Sequence, residues 1–188
     1  PTCVPKQRLE AHSEVVAAVA ITEDGRQVAT AGRDNIVVIW VEEGRDYKNI
    51  LTLKGHTSWV SSVVFSNGGH YLGTGSYDET ARLWDVRQLR APVSELGLGG
   101  GVWRLKWHPE RADLLLAACM HAGFAVLSSG GAEAAAGGEG LSLVARYEAH
   151  GLGGALGYGA DWAHGGALAA ATCSFYDRAL HAWTLEEV

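Results

Sequence analysis

The chain has 188 residues and a mass of 19.9 kDa, enough for one domain with a buried core. Hydrophobic residues make up 47% and charged residues 19%, a globular balance that excludes disorder. Net charge is −6 with no Lys/Arg run, and the longest apolar runs, such as Leu114 to Met120, are far shorter than a bilayer span, so neither nucleic acid nor membrane is expected as a partner.

The first chain segment, Lys6 to Leu9, reads as a short strand leading into His12. Val15 to Ile21 is an apolar run, Glu23-Asp24-Gly25 a turn, and Gln27 to Ala31 and Ile36 to Trp40 two further β-rich runs. After His56 the scheme recurs: Val60 to Phe65, the turn Asn67-Gly68-Gly69, Tyr71 to Gly75, and Ala81 to Trp84. A third unit is more degenerate, with strands at Val102 to Trp107, Leu114 to Ala118 and Phe124 to Leu127. Ser128 to Gly140 is rich in Gly and Ala and reads as a flexible surface loop. The fourth unit holds His150, then strands at Tyr158 to Trp162, Leu168 to Cys173 and Leu180 to Trp183. With 25 Gly, 4 Pro and 7 Trp, short strands and tight turns fit better than long helices.

The period is 44 residues: His12 and His56, Thr30 and Thr74, Asp34 and Asp78, and Trp40 and Trp84 are all that far apart. Such a unit looks like a WD repeat, the blade of a β-propeller, and Gly55-His56 and Trp84-Asp85 fit its signature literally. The expected fold is therefore all-β, with four blades in repeats 6–49, 50–92, 93–141 and 142–188. Four is the low limit for propellers, so these blades read as part of a larger ring of about seven, here an open arc or a strained ring with exposed strand edges available for self-association. Residue 1 is Pro in place of an initiator Met, which points to a fragment.

His, Thr, Asp and Trp in one unit resemble a hydrolase charge relay. Here the set occurs twice at identical spacing, so it reads as a structural hydrogen-bond chain from indole through hydroxyl and imidazole to carboxylate. Asp177 and Trp183 keep part of it, with His150 as a looser member. No GxSxG elbow, P-loop or HExxH is present. Three cysteines without CxxC spacing (Cys3, Cys119, Cys173) give no metal site or disulfide framework, and suit a reducing cytoplasm. No cofactor is expected.

Function is expected where one blade breaks the template of its neighbours. Aligned on Ile21, Phe65, Trp107 and Trp162, the first strands carry small or apolar residues except at Arg104, Lys106 and Asp161. First strands line a propeller's channel, so these charges are expected near its mouth, as a solvated ion cluster or a polar site for a charged ligand. Trp103 and Tyr158 replace the small Ala17 and Ser61 of the first two blades. Their ring faces suit a quaternary ammonium group.

Gly100-Gly101-Val102-Trp103-Arg104-Leu105-Lys106-Trp107-His108-Pro109, Leu114 through Phe124, and Tyr158-Gly159-Ala160-Asp161-Trp162 resemble the diphthine methylesterase family, a WD-repeat branch of diphthamide biosynthesis. Ala171 through Asp177 and Gly73 through Glu79 are similar to it as well, so the likeness covers roughly the C-terminal 115 residues. The resemblance implies hydrolysis of the methyl ester of methylated diphthine, a modified His of elongation factor 2. It transfers no catalytic residue. Template-breaking nominates Asp161 or His121 as base, Arg104 as oxyanion donor, and Trp103, Tyr158 and Lys106 as substrate contacts. The competing expectation is a non-catalytic scaffold that binds a protein partner on a propeller face.

Overall fold

The computed structural model describes residues 2–130, 140–151, 156–166 and 168–186. Among them the chain forms four antiparallel sheets. The first runs β1 (Val16–Ile21), β2 (Gln27–Gly32), β3 (Val37–Glu43) and β4 (Asp46–Leu53). The second runs β5 (Val60–Phe65), β6 (Tyr71–Ser76), β7 (Thr80–Asp85) and β8 (Ser94–Gly97). The third holds β9 (Arg104–Trp107), β10 (Leu114–Ala118), β11 (Phe124–Ser128) and β12 (Ser142–Tyr147). The fourth holds β13 (Gly157–Trp162), β14 (Ala169–Ser174) and β15 (Leu180–Thr184). Each sheet is a simple meander, which is the blade order of a propeller.

Local chemistry sets these meanders. Tight turns between strands need left-handed residues, and Gly25, Gly68 and Gly69 supply them with φ of 73°, 81° and 71°. The blades are displaced from the sequence repeats by one strand, because the outer strand of each blade is the lead-in to the next repeat's His. The loop expected over Ser128 to Gly140 begins after β11, and its residues 131–139 lie outside the described ones.

The strand expected at Lys6 to Leu9 does not form. Leu9 and Ala11 instead lie on the outer face of the first blade against Val28, Val38 and Trp40. Lys6 pairs with Glu42, and the Gln7 amide exchanges hydrogen bonds with the backbone of Tyr47 at 3.1 and 2.7 Å. The segment thus reaches the outer strand β4 through the Gln7 side chain and not through a backbone ladder.

Neighbouring blades share three apolar seams. Ala29, Ala31 and Ile39 meet Val63, Leu72 and Trp84; Ala81 and Leu83 meet Leu105, Leu115 and Leu127; Leu116 and Val126 meet Trp162 and Ala170. No packing of comparable extent joins the first blade to the fourth, so the described residues form an arc. Its two end faces stay open. Val19 and Ile21 on β1 are 68% and 57% exposed, whereas Val63 and Leu105 at the register of Val19 are buried. Leu180 on β15 is 72% exposed, whereas its counterparts Val37, Ala81 and Phe124 are sealed.

Small residues let the seams close. A Cβ on Gly75 would stand 2.5 Å from Val102, while one on Gly97 would meet nothing within 4 Å. Gly75→Ala should therefore lower stability by about 1–3 kcal/mol through overpacking, and Gly97→Ala should change it by less than about 0.5 kcal/mol. Urea midpoints of the two variants check the contrast.

Candidate functional site

Three blades carry the same buried hydrogen-bond chain. In the first, the Trp40 indole donates to Thr30 Oγ1 at 3.0 Å, and His12 meets Thr30 at 2.9 Å and Asp34 at 3.0 Å. In the second, Trp84 donates to Thr74 at 3.0 Å, and His56 meets Thr74 at 2.8 Å and Asp78 at 2.9 Å. In the fourth, Trp183 donates to Thr172 at 3.1 Å, and His150 meets Thr172 at 3.0 Å and Asp177. One proton arrangement satisfies all three. The indole donates to the hydroxyl, the hydroxyl donates to Nε2, and Nδ1–H donates to the carboxylate. These imidazoles are enclosed and already used on both nitrogens, so they hold structure. His150 is a full member, and Thr172, which the sequence reading passed over, completes its set.

The third blade has lost the whole chain together. By register Ala117 stands where Thr30, Thr74 and Thr172 stand, and Leu127 replaces the indole, both fully buried. Removing every partner at once leaves no orphaned polar group.

His181 adds an imidazole beside the fourth chain, and donor atoms of His150, Asp177 and His181 lie within 4.8 Å of one another. The two rings are stacked at 3.9 Å and 12°, and Tyr147 holds His181 Nδ1 at 2.9 Å. Stacked rings direct their in-plane lone pairs side by side, which does not suit a shared metal ion.

The template-breaking charges do come together. On β9, Arg104 and Lys106 project on one face, and both line a cleft of about 520 Å3 walled by β1 and β5 residues as well. They also border a shallower hollow with Asp161, Thr172 and Cys173. Lys106 Nζ lies 3.4 Å from Asp161 Oδ2, and Asp161 Oδ1 accepts the Trp162 N–H at 3.1 Å. This is an open shelf, wet on one side, with two cations and one carboxylate. His121 is not part of it: it sits exposed on the β10–β11 turn and lines neither cavity.

Above the shelf runs a continuous row of aromatic rings. Trp103 meets Tyr158 edge-on at 5.1 Å, and its other neighbours are Trp59 at 5.9 Å and Tyr77 at 6.0 Å. Trp59 and Tyr77 stack at 4.9 Å, and the Arg33 guanidinium lies 5.3 Å over Trp59. Tyr158 continues to Phe175 and Tyr176, which are 73% and 59% exposed. Strand-by-strand comparison nominated Trp103 and Tyr158 but missed Trp59, Tyr77, Phe175 and Tyr176. Tyr77 and Tyr176 had a legible signal, a ring immediately before the Asp of the second and fourth repeats.

Comparisons with known proteins agree with this architecture. Residues 3–41 and 47–85 match the family model "WD domain, G-beta repeat", and these segments are WD repeats. The diphthine methyltransferase of Homo sapiens is 44% identical over 121 residues, 61% of this chain and 25% of that protein. A diphthine methyltransferase homolog of Dictyostelium discoideum is 35% identical over 117 residues, 60% of this chain and 31% of its own length. The chain thus spans about a quarter to a third of these relatives. A chain in the crystal structure of a mitotic checkpoint complex superposes with a TM-score of 0.76 at 23% identity. It covers 95% of this chain and 52% of that one, a likeness of fold alone.

The chain of bonds around Asp78 predicts an acid-labile blade. Burial lowers the pKa of His56 below its ordinary 6.5, so the unfolded chain takes up that proton first and stability falls as pH drops below about 6.5. Burial opposes the charge of Asp78, yet hydrogen bonds from Thr80, the Thr57 N–H and His56 prevail and hold its pKa at about 2. Its contribution is complete above about pH 4 and is lost as pH falls from there toward 2. Asp78→Ala should lower stability at neutral pH by about 1–3 kcal/mol and flatten that lower acid limb. Urea midpoints between pH 8 and pH 2 test both effects.

Proposed function

We propose that this WD-repeat arc, similar over three-fifths of its length to diphthine methyltransferases, serves diphthamide biosynthesis by hydrolysing the methyl ester of methylated diphthine on elongation factor 2. The relatives' name describes methyl transfer; in the reaction proposed here the acyl carbon passes to water and methanol leaves. The observation that carries the reading is Trp103. It stands in a row of rings and at the same time lines the cleft that holds Arg104 and Lys106. A substrate with a trimethylammonium group and an ester asks for that pairing, ring faces for the cation and fixed positive charge for the developing oxyanion.

The roles follow from position. Asp161 takes a proton from the attacking water, Arg104 faces the oxyanion, and the proton returns to methoxide as the tetrahedral intermediate collapses. Lys106 holds Asp161 in place across their 3.4 Å contact and receives the product carboxylate. Trp103 and Tyr158 seat the trimethylammonium. A non-catalytic scaffold is the second reading, favoured by the exposed rings of Phe175 and Tyr176, which suit contact with a protein partner.

Intact-mass spectrometry of methylated elongation factor 2, incubated with the full-length protein, separates the two. Hydrolysis removes the mass of one CH2 and keeps the trimethylammonium. Asp161→Asn should reduce turnover by about 10²-fold or more, while Trp103→Ala should mainly raise KM, by about threefold to thirtyfold. Binding of the factor with its ester intact would establish the scaffold instead.

A further inference from the structure

The β10–β11 turn is set apart by its backbone. Two residues past the register partners of Ala18, Ser62, Arg104 and Gly159, the four blades carry Arg33, Tyr77, Met120 and Phe175 at one rim. Three of these stand in the aromatic row, Arg33 over Trp59 and the other two as rings. Met120 differs in chemistry and in conformation: it is the chain's single methionine, and its φ is 46°. A left-handed backbone is costly for a residue with a Cβ and persists only where its surroundings hold it.

Both ends of this residue engage the strands that carry the candidate ligand rings. Its carbonyl accepts the Gly157 N–H at 2.9 Å, a bridge to the start of β13 one residue before Tyr158. At the preceding seam the matching N–H, that of Val102, goes to the Ser76 carbonyl at 2.9 Å. Ser76 stands one residue earlier in its turn than Met120 does, so the acceptor has moved on to the left-handed residue. The Met120 sulfur faces Gly101. A Cβ there would lie 2.8 Å from the sulfur and 3.6 Å from the Tyr77 ring, so Gly101 is enclosed between the two. Two residues on, the Trp103 N–H donates to Ala118 at 2.8 Å, at the end of β10 that leads into Met120.

We infer that Met120 is the positioning residue of the trimethylammonium seat. Its carbonyl places β13 and so Tyr158, while its sulfur presses the Gly101 lead-in against Tyr77 and so places Trp103, which sets the two rings edge-on at 5.1 Å. This role deepens the esterase reading and rests on it. Met120 lines neither cavity of the shelf, so it acts through the rings and not on the ligand. A cation held by ring faces responds to small displacements of those rings. An unbranched, apolar thioether fills the irregular gap beside a glycine and a ring better than a branched chain does.

Met120→Gly separates this role from folding, because glycine adopts the same φ readily and the melting curve should stay within a few degrees of the parent while the sulfur is lost. With the full-length protein and methylated elongation factor 2, KM should rise by about threefold to tenfold and kcat should stay within about twofold. Met120→Leu, which restores the apolar bulk, should bring KM back to within about twofold of the parent. Tetramethylammonium probes the seat without the chemistry. It should shift the 15N indole signal of Trp103, with its affinity weakened in Met120→Gly by the same factor as KM. A parent that leaves the ester intact yet shows this difference in tetramethylammonium binding refutes the esterase and upholds the positioning role. Equal probe affinity and equal KM in parent and Met120→Gly overturn that role, as do a loss of kcat with KM unchanged or a parent that binds no tetramethylammonium.

Discussion

A threonine hydroxyl buried inside a β-sheet has one proton and two lone pairs, and three blades are organised around how it uses them. Thr30, Thr74 and Thr172 each accept from an indole on the next strand and face an imidazole that enters from the preceding loop. The imidazole then reaches the carboxylate of the β-turn. Four separate pieces of chain, namely lead-in loop, second strand, turn and third strand, are tied by one directional run of protons. Because each bond fixes the donor sense of the next, the ring orientation and tautomer of the His are dictated together. Only then can the small residues beside it, such as Ala31 and Gly75, present a flat face for the neighbouring blade.

Loss of that chain from the third blade has structural consequences beyond its own core. Counting back 18 residues from Ala117, as His12 stands back from Thr30 and His56 from Thr74, arrives at Gly99. Glycines thus occupy the lead-in where a histidine would enter. A Cβ on Gly100 would collide with the Cys119 carbonyl, and one on Gly101 would stand 2.8 Å from the Met120 sulfur. The lead-in therefore lies flat on the β10–β11 turn, a closeness only glycine permits. Trp103 follows directly and is carried in among Trp59, Tyr77 and Tyr158.

Much of this was legible in the sequence because a repeat supplies its own control. The 44-residue offset exposed two complete hydrogen-bond chains, and the misfit of Arg104 against Ala18, and of Lys106 and Asp161 against Ala20, pointed to the charges that meet on the shelf. Thr172 escaped because its blade has a longer lead-in and turn: His150 lies 22 residues before it and Trp183 lies 11 after, against 18 and 10 elsewhere. His121 was nominated by template-breaking along with the shelf residues, yet it sits exposed on the β10–β11 turn and lines neither cavity, because its side chain leaves the sheet on a turn and not on a channel-facing strand. Lys6 to Leu9 was read as a strand, yet it binds the first blade through the Lys6 and Gln7 side chains, a tertiary arrangement that no local pattern reveals.

The shelf and the rings above it make different demands on the same strand. Trp103 belongs to the apolar rim, where packing of ring on ring holds it still; Arg104 and Lys106, one and three residues later, must keep their charges hydrated. Strand alternation reconciles the two, since Leu105 between the cations points into the seam with Ala81 and Leu83 while both cations stay on the channel side. Anchoring by Leu105 fixes where the charges stand without burying them, so no desolvation penalty is incurred at rest. Water would leave Arg104 and Lys106 only when a ligand covers the shelf. Their attraction for a negative charge on that ligand would then strengthen as the local dielectric falls, which is what the proposed ester hydrolysis would draw on.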